Sequence, residues 1–192
     1  AAVSVSTGAG ADNVTVNLDA MPSKISLSGG ATAEDKVTIN AVSNSMQIGN
    51  SGSNVTFDDG SRTLTLTQAK DVVLLNGAGT TNVTAAATIS GQFNVTTSAL
   101  TIAPTGALNA NGLQLIADRM TLNGPVQAGA NNVLLRPRTP SRAIVLGSTT
   151  DAANALELSD AELDRITSNT ISIGASIDTT GSIDITSSIA PS

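Results

Sequence analysis

Glycine-acid turns are the residues of this chain whose types and spacing could hold a metal ion. Residues 8–14 read GAGADNV, which is the G-x-G-x-D-x-U pattern in which turn carbonyls and an Asp carboxylate surround Ca²⁺. Residues 29–37 repeat the pattern with one glycine lost and one residue gained, and residues 77–83 have lost the carboxylate. Asp12 and Asp35 are therefore the candidate calcium ligands, and a turn with a purely structural role is the alternative.

Catalytic chemistry has few residues to draw on. The chain contains no His and no Cys, which excludes the usual nucleophile triads, thiol nucleophiles and most transition-metal sites. The pair Asp58 and Asp59 could serve a glycosidase, but Gly60 follows it and indicates a hairpin turn. Sugar-cleaving sites also favour aromatic platforms, and Phe57 and Phe93 are the only aromatic residues. We expect no enzyme, with a polysaccharide-acting enzyme as the minor alternative.

The charge and hydropathy of the chain limit its partners. The net charge is −6, and Arg136, Arg138 and Arg142 form the single basic cluster, which we interpret as a solvated loop. A nucleic-acid partner needs a broader basic surface, so none is expected. No apolar run approaches the roughly 20 residues that cross a bilayer, so membrane insertion is not expected.

Short apolar-polar-apolar triplets recur along the whole chain and predict an all-β fold. Each triplet has the period-two alternation of a half-buried strand. The triplets start at residues 14, 25, 37, 55, 64, 83, 93, 100, 113, 120, 144, 156, 171 and 183. A core with so few aromatic residues is thin, which favours strands stacked in turns of roughly 20–25 residues. The prediction is a parallel β-helix, and a β-sandwich is the alternative.

Two local signals complete the predicted architecture. Asn-Gly pairs at 76–77, 111–112 and 123–124 are typical of corners that need a positive φ. The segment LSDAELDRI at 158–166 predicts a two-turn helix near 159–167, with Ser159 as N-cap and Glu162 completing a capping box.

The order of these elements resembles known exoprotein repeats. Residues 1–90 are similar to degenerate RTX-like glycine-acid repeats of very large bacterial exoproteins. Residues 91–192 resemble the repeat unit of filamentous-haemagglutinin-like adhesins: LIADRMTLNG at 115–124, NVLLRP at 132–137, IVLG at 144–147, the LSDAELDRI segment, and ISIG at 171–174. This resemblance implies a right-handed parallel β-helix that Gram-negative bacteria export, commonly through an outer-membrane pore, with no catalytic residue. The two regions are expected to form one continuous rod.

These observations together predict a structural or adhesive segment of a secreted bacterial surface protein. It would act as a rigid stalk or a surface-binding rod, outside the cell or on its surface. Its expected partners are a host or neighbouring-cell surface or glycans. The alternative is a self-assembling extracellular filament subunit, because uncapped ends of stacked strands expose unpaired edges.

Overall fold

The computed structural model describes residues 2–21, 24–29, 35–41, 45–174 and 180–190. Within these residues the chain is almost entirely strand, which confirms the all-β prediction. The strands are β1 (Ala2–Ser6), β2 (Asn13–Asn17), β3 (Lys24–Ser28), β4 (Lys36–Asn40), β5 (Ser45–Ser51), β6 (Asn54–Asp58), β7 (Thr63–Thr67), β8 (Asp71–Leu75), β9 (Thr80–Val83), β10 (Ala86–Thr88), β11 (Phe93–Ile102), β12 (Ala107–Asn109), β13 (Leu113–Leu122), β14 (Val126–Gln127), β15 (Asn132–Arg136), β16 (Arg142–Leu146), β17 (Ala155–Leu158), β18 (Ile166–Thr167), β19 (Thr170–Ile173) and β20 (Thr180–Ile185).

Most strand pairs are parallel. The largest sheet contains 13 strands, and two smaller sheets follow the orders β10-β12-β14-β18 and β17-β16-β20. Strand β11 pairs with β13 on one side and with both β8 and β9 on the other. The pairing therefore continues from the first 90 residues into the rest of the chain.

Two inner ladders run through the large sheet, and each is a row of apolar side chains in register from strand to strand. Their members alternate along each strand with polar or half-exposed residues, as the triplets predict. Inner ladder 1 is Val14, Val37, Val72, Phe93, Leu113, Val133 and Ile171; inner ladder 2 is Val16, Ile39, Leu74, Val95, Leu115, Leu135 and Ile173. Except at the ends of each row, these side chains are buried.

An antiparallel segment interrupts the parallel order. Strand β6 pairs antiparallel with β5 and with β7, while β5 pairs parallel with β9 and β7 pairs parallel with β3. The antiparallel segment lies between β3 and β7 in the sequence. These two strands still pair in parallel, with Lys24 beside Thr63. Period-two alternation is the same in both kinds of pair, so the triplets did not predict this segment.

The predicted helix is shorter than expected. Helix α1 spans Asp160–Leu163, so the expected second turn is wrong. The helix ends there because Ile166 and Thr167 pair with Val126 and Gln127 as strand β18. The capping interaction is present: the Glu162 carboxylate accepts the Ser159 N–H at 2.9 Å and the Ser159 hydroxyl at 2.8 Å. A short 3-10 turn lies at Leu18–Ala20.

The Asn-Gly corners have two different physical causes. Gly77 and Gly112 have φ values of 45° and 126°, as predicted. Gly124 does not have a positive φ, so the prediction of a positive-φ corner at residues 123–124 is wrong. It is needed because its backbone closely approaches that of Gly106 and Ala103. No helix in the described part of the chain has the length and apolarity needed to cross a membrane.

Candidate functional site

The structure places Asp12 and Asp35 side by side. Strands β2 and β4 pair with Asn13 beside Lys36, so the two acids that precede these strands are neighbours. The Asp12 N–H donates to Asp35 Oδ1 at 3.0 Å, and the Lys36 N–H donates to the Asp12 carbonyl at 2.9 Å. The two candidate ligands therefore lie together at the amino ends of β2 and β4.

Asp35 acts as an acceptor inside the fold. It is 1 % exposed, and its Oδ2 accepts the Thr7 hydroxyl at 2.6 Å. Its carbonyl accepts the N–H groups of Lys70 and Asp71 at 3.0 and 3.1 Å. The carboxylate of Asp35 thus holds residues 7–12, and its backbone carbonyl holds residues 70–71, so the role of this carboxylate in the fold is structural.

The surroundings of Asp12 bear on the calcium prediction. Asp12 Oδ2 is buried and has no hydrogen-bond partner within the described residues. In the same described part of the chain, no group of three or more Asp, Glu, His or Cys side chains could hold a metal ion. Residues 30–34 of the second glycine-acid turn lie outside the described residues. Calcium binding at Asp12 and Asp35 therefore stays a prediction.

Replacement of Asp35 by alanine tests the structural role directly. We expect the free energy of unfolding to fall by roughly 1–3 kcal/mol, because the partly buried donors of Thr7 and Asp12 lose a charged acceptor. Urea unfolding followed by circular dichroism measures this loss, with Asp35→Asn as the milder control that retains one acceptor oxygen. A structural role predicts the same loss in EDTA and in millimolar calcium. A loss that occurs only with calcium present would instead establish a calcium site.

Asp58, Asp59 and Gly60 form the predicted hairpin turn. Asp58 Oδ1 accepts the Gly60 N–H at 2.7 Å, and Asp59 Oδ1 accepts the Arg62 N–H at 2.7 Å. The Arg62 guanidinium lies 3.1 Å from Asp59 and 3.1 Å from Asp19. Both carboxylates of the pair therefore stabilise the connection between β6 and β7.

The basic cluster is held by the fold more tightly than the sequence suggested. The Arg142 side chain donates to the Asp118 carbonyl at 3.0 Å and to the Ala153 carbonyl. Arg138 lies 3.8 Å from the Asp118 carboxylate, which also accepts the N–H and hydroxyl of Thr139 at 2.7 Å. Arg138 and Arg142 thus connect β13 to the loops around β16, and the interpretation as a simple solvated loop is incomplete.

A second acidic group surrounds the short helix. Glu162 Oε1 accepts the Leu122 N–H at 3.0 Å, which connects α1 to the end of β13. Partial desolvation raises the pKa of the nearby Asp151 carboxyl, the charges of Glu162 and Glu157 raise it further, and Arg119 lowers it. Because the raised pKa belongs to the folded state, protonation of Asp151 favours folding as the pH falls through that pKa.

The sequence did not predict a polar cleft on the outer face of the large sheet. The cleft has a volume of about 390 Å³ and lies across β11, β13, β15 and β19. Six amide side chains line it: Gln92, Asn94, Asn111, Gln114, Asn131 and Asn132. The sequence signal for this cleft was the density of Asn and Gln between residues 92 and 132. Only the register of the strands shows that these residues share one face of the sheet.

Comparisons with known proteins add no further assignment. No protein-family model, curated protein or solved structure matches this chain.

Proposed function

We propose that this chain is a structural or adhesive repeat segment of a secreted bacterial surface protein. In this proposal it acts as a rigid stalk or a surface-binding rod, built as a right-handed parallel β-helix and exported by a Gram-negative bacterium. The resemblance of residues 91–192 to filamentous-haemagglutinin-like adhesin repeats supports it. The proposal assigns no catalytic step to the chain.

The observation that carries the proposal is the pair of inner ladders. Inner ladder 1 continues in register from Val14 in β2 to Ile171 in β19, through seven strands. At about 4.8 Å per strand, this row extends for roughly 30 Å. Because each added strand repeats the same small apolar contacts, such a ladder grows in length without growing in width, which is what a stalk requires.

The two ends of the large sheet favour a second candidate, the self-assembling filament subunit. Within the described residues, β1 pairs only with β3, and β19 pairs only with β15. Large apolar side chains are exposed near both ends, including Val3 at 41 %, Val5 at 42 % and Ile171 at 37 %. Leu163, Ile166, Ile173 and Ile189 line an apolar cleft of about 420 Å³ beside Ile171. Unpaired edges beside apolar surface can stack on a second copy.

Electron microscopy tests the proposal and separates the two candidates. An antibody raised against this chain should label intact, unpermeabilised cells that produce the protein, along narrow surface fibres. An antibody against a cytoplasmic protein, which labels only permeabilised cells, is the control. Labelling that requires permeabilisation, or that marks compact particles, contradicts the proposal. Fibres that form from the purified chain alone would favour the filament subunit over the stalk.

A further inference from the structure

The amide-lined cleft is a candidate binding site in the described part of the chain. Its volume of about 390 Å³ falls within the range of small-ligand sites. It lies across the successive strands β11, β13, β15 and β19, and therefore suits an extended ligand. The surface-binding rod of the proposed function has no assigned ligand, so the inference rests on that proposal and names the class of ligand.

The register explains how the cleft is built. Asn94 in β11 lies beside Gln114 in β13. The same row continues across the sheet with Leu134 in β15 and Ser172 in β19. Gly112 lies between Gln92 and Asn131. A Cβ added at Gly112 would be 3.7 Å from Gln92 Cγ and 4.0 Å from Asn131 Cβ. Gly112 has no side chain to occupy this part of the cleft.

The cleft contains an unused polar group. Asn94 Oδ1 is buried and has no hydrogen-bond partner among the described residues. A buried acceptor without a partner is unfavourable, and rotation of the Asn94 side chain toward the cleft would let a ligand hydroxyl satisfy it. Asn111, by contrast, is fixed by its own fold contact, since its Nδ2 donates to the Ser90 carbonyl at 2.7 Å.

The chemistry of the lining selects the class of ligand. None of the residues that line the cleft is charged, so a charged ligand would lose hydration without gaining an opposite charge. Each amide offers both donors and an acceptor, which matches hydroxyl groups that donate and accept. A peptide in an extended conformation would instead use an open strand edge, and the strands that carry the amides Asn94, Gln114 and Asn132 are each paired on both sides. The open edge of β19 contributes only Ser172 to the lining.

We infer that this cleft binds a neutral polysaccharide through the side-chain amides of Gln92, Asn94, Gln114 and Asn132. The cleft contains no aromatic platform, so binding depends on hydrogen bonds and each site is weak, with a Kd on the order of 1 mM. Weak sites of this kind gain strength when a long polymer meets several copies.

Affinity electrophoresis of the full chain tests the inference. The gels contain dextran, mannan, xylan or a mixed-linkage β-glucan as neutral probes, and polygalacturonate as an acidic probe. We expect at least one neutral polymer to retard the chain, and the double variant Gln114→Ala/Asn132→Ala to raise the apparent Kd at least about fivefold. Gln47→Ala is the matched control, because Gln47 is an exposed glutamine of β5 outside the cleft, and it should leave retardation unchanged.

Three outcomes would overturn the inference: no retardation by any neutral polymer, equal retardation of the double variant and the unaltered chain, or retardation by polygalacturonate alone. A second measurement needs no variant. Titration of the ¹⁵N-labelled chain with oligosaccharides of the retarding polymer should shift the side-chain amide resonances of Gln92, Asn94 and Gln114. Unshifted cleft amides, with shifts elsewhere, would place the binding outside the cleft and overturn the inference.

Discussion

Replacement of Phe93 by alanine is expected to lower the free energy of unfolding by about 3–5 kcal/mol. Phe93 is fully buried, and its ring meets the Phe57 ring edge to face, with centroids 6.2 Å apart and planes at 89°. It also lies in inner ladder 1 between Val72 and Leu113. A cavity at this position would open at the junction of β8, β11 and β13, where small aliphatic neighbours have little bulk to fill it.

Urea unfolding followed by circular dichroism measures this effect, and Phe93→Leu is the matched control. Leucine keeps an apolar side chain in the ladder, so its cost should be roughly 1–2 kcal/mol. Phe57→Ala should also be costly, and the double variant should cost less than the sum of the two, because aromatic pairs contribute roughly 0.5–1.5 kcal/mol beyond their burial. A Phe93→Ala loss no larger than that of Phe93→Leu would show that the core tolerates the cavity.

The strands could be predicted from the sequence because their signal is local. Every triplet coincides with a strand except the one at residues 83–85, where β9 ends at Val83. Thr84 follows the strand and uses its N–H to bond the Ile48 carbonyl at 2.9 Å. Local alternation predicts that a segment is extended, but it does not predict where pairing stops.

Partners and register depend on distant parts of the chain and were harder to predict. The glycine-acid pattern indicated Asp12 and Asp35 as related positions, but only the pairing of β2 with β4 places them side by side. The amide cleft combines outward residues from several strands, and the alignment of Asn94 with Gln114 decides that they meet. The length of α1 was overestimated because the pairing of Ile166 with Val126 outweighs the local helical pattern.

Replacement of Gly124 by alanine is expected to lower the free energy of unfolding by at least about 3 kcal/mol. A Cβ at Gly124 would overlap the Gly106 carbonyl oxygen, lie 2.5 Å from the Ala103 carbonyl oxygen, and lie 2.9 Å from Ile102 Cγ2. Two of these neighbours are backbone atoms, which no side-chain rotation can move away. The hydrogen bond that the Asn123 N–H donates to the Ile102 carbonyl, 2.9 Å long, would have to lengthen or break to make room for this Cβ.

Gly129→Ala is the control that isolates this overlap from the general cost of replacing glycine. Gly129 has a φ of 57° and no atom within 4 Å of an added Cβ, so only backbone strain of about 1–2 kcal/mol is expected there. Equal losses for the two variants, measured by urea unfolding, would mean that the successive turns at Gly106 and Gly124 separate easily. A much larger loss at Gly124 would mean that the turns are held at a fixed spacing, and a stalk that resists bending depends on that spacing.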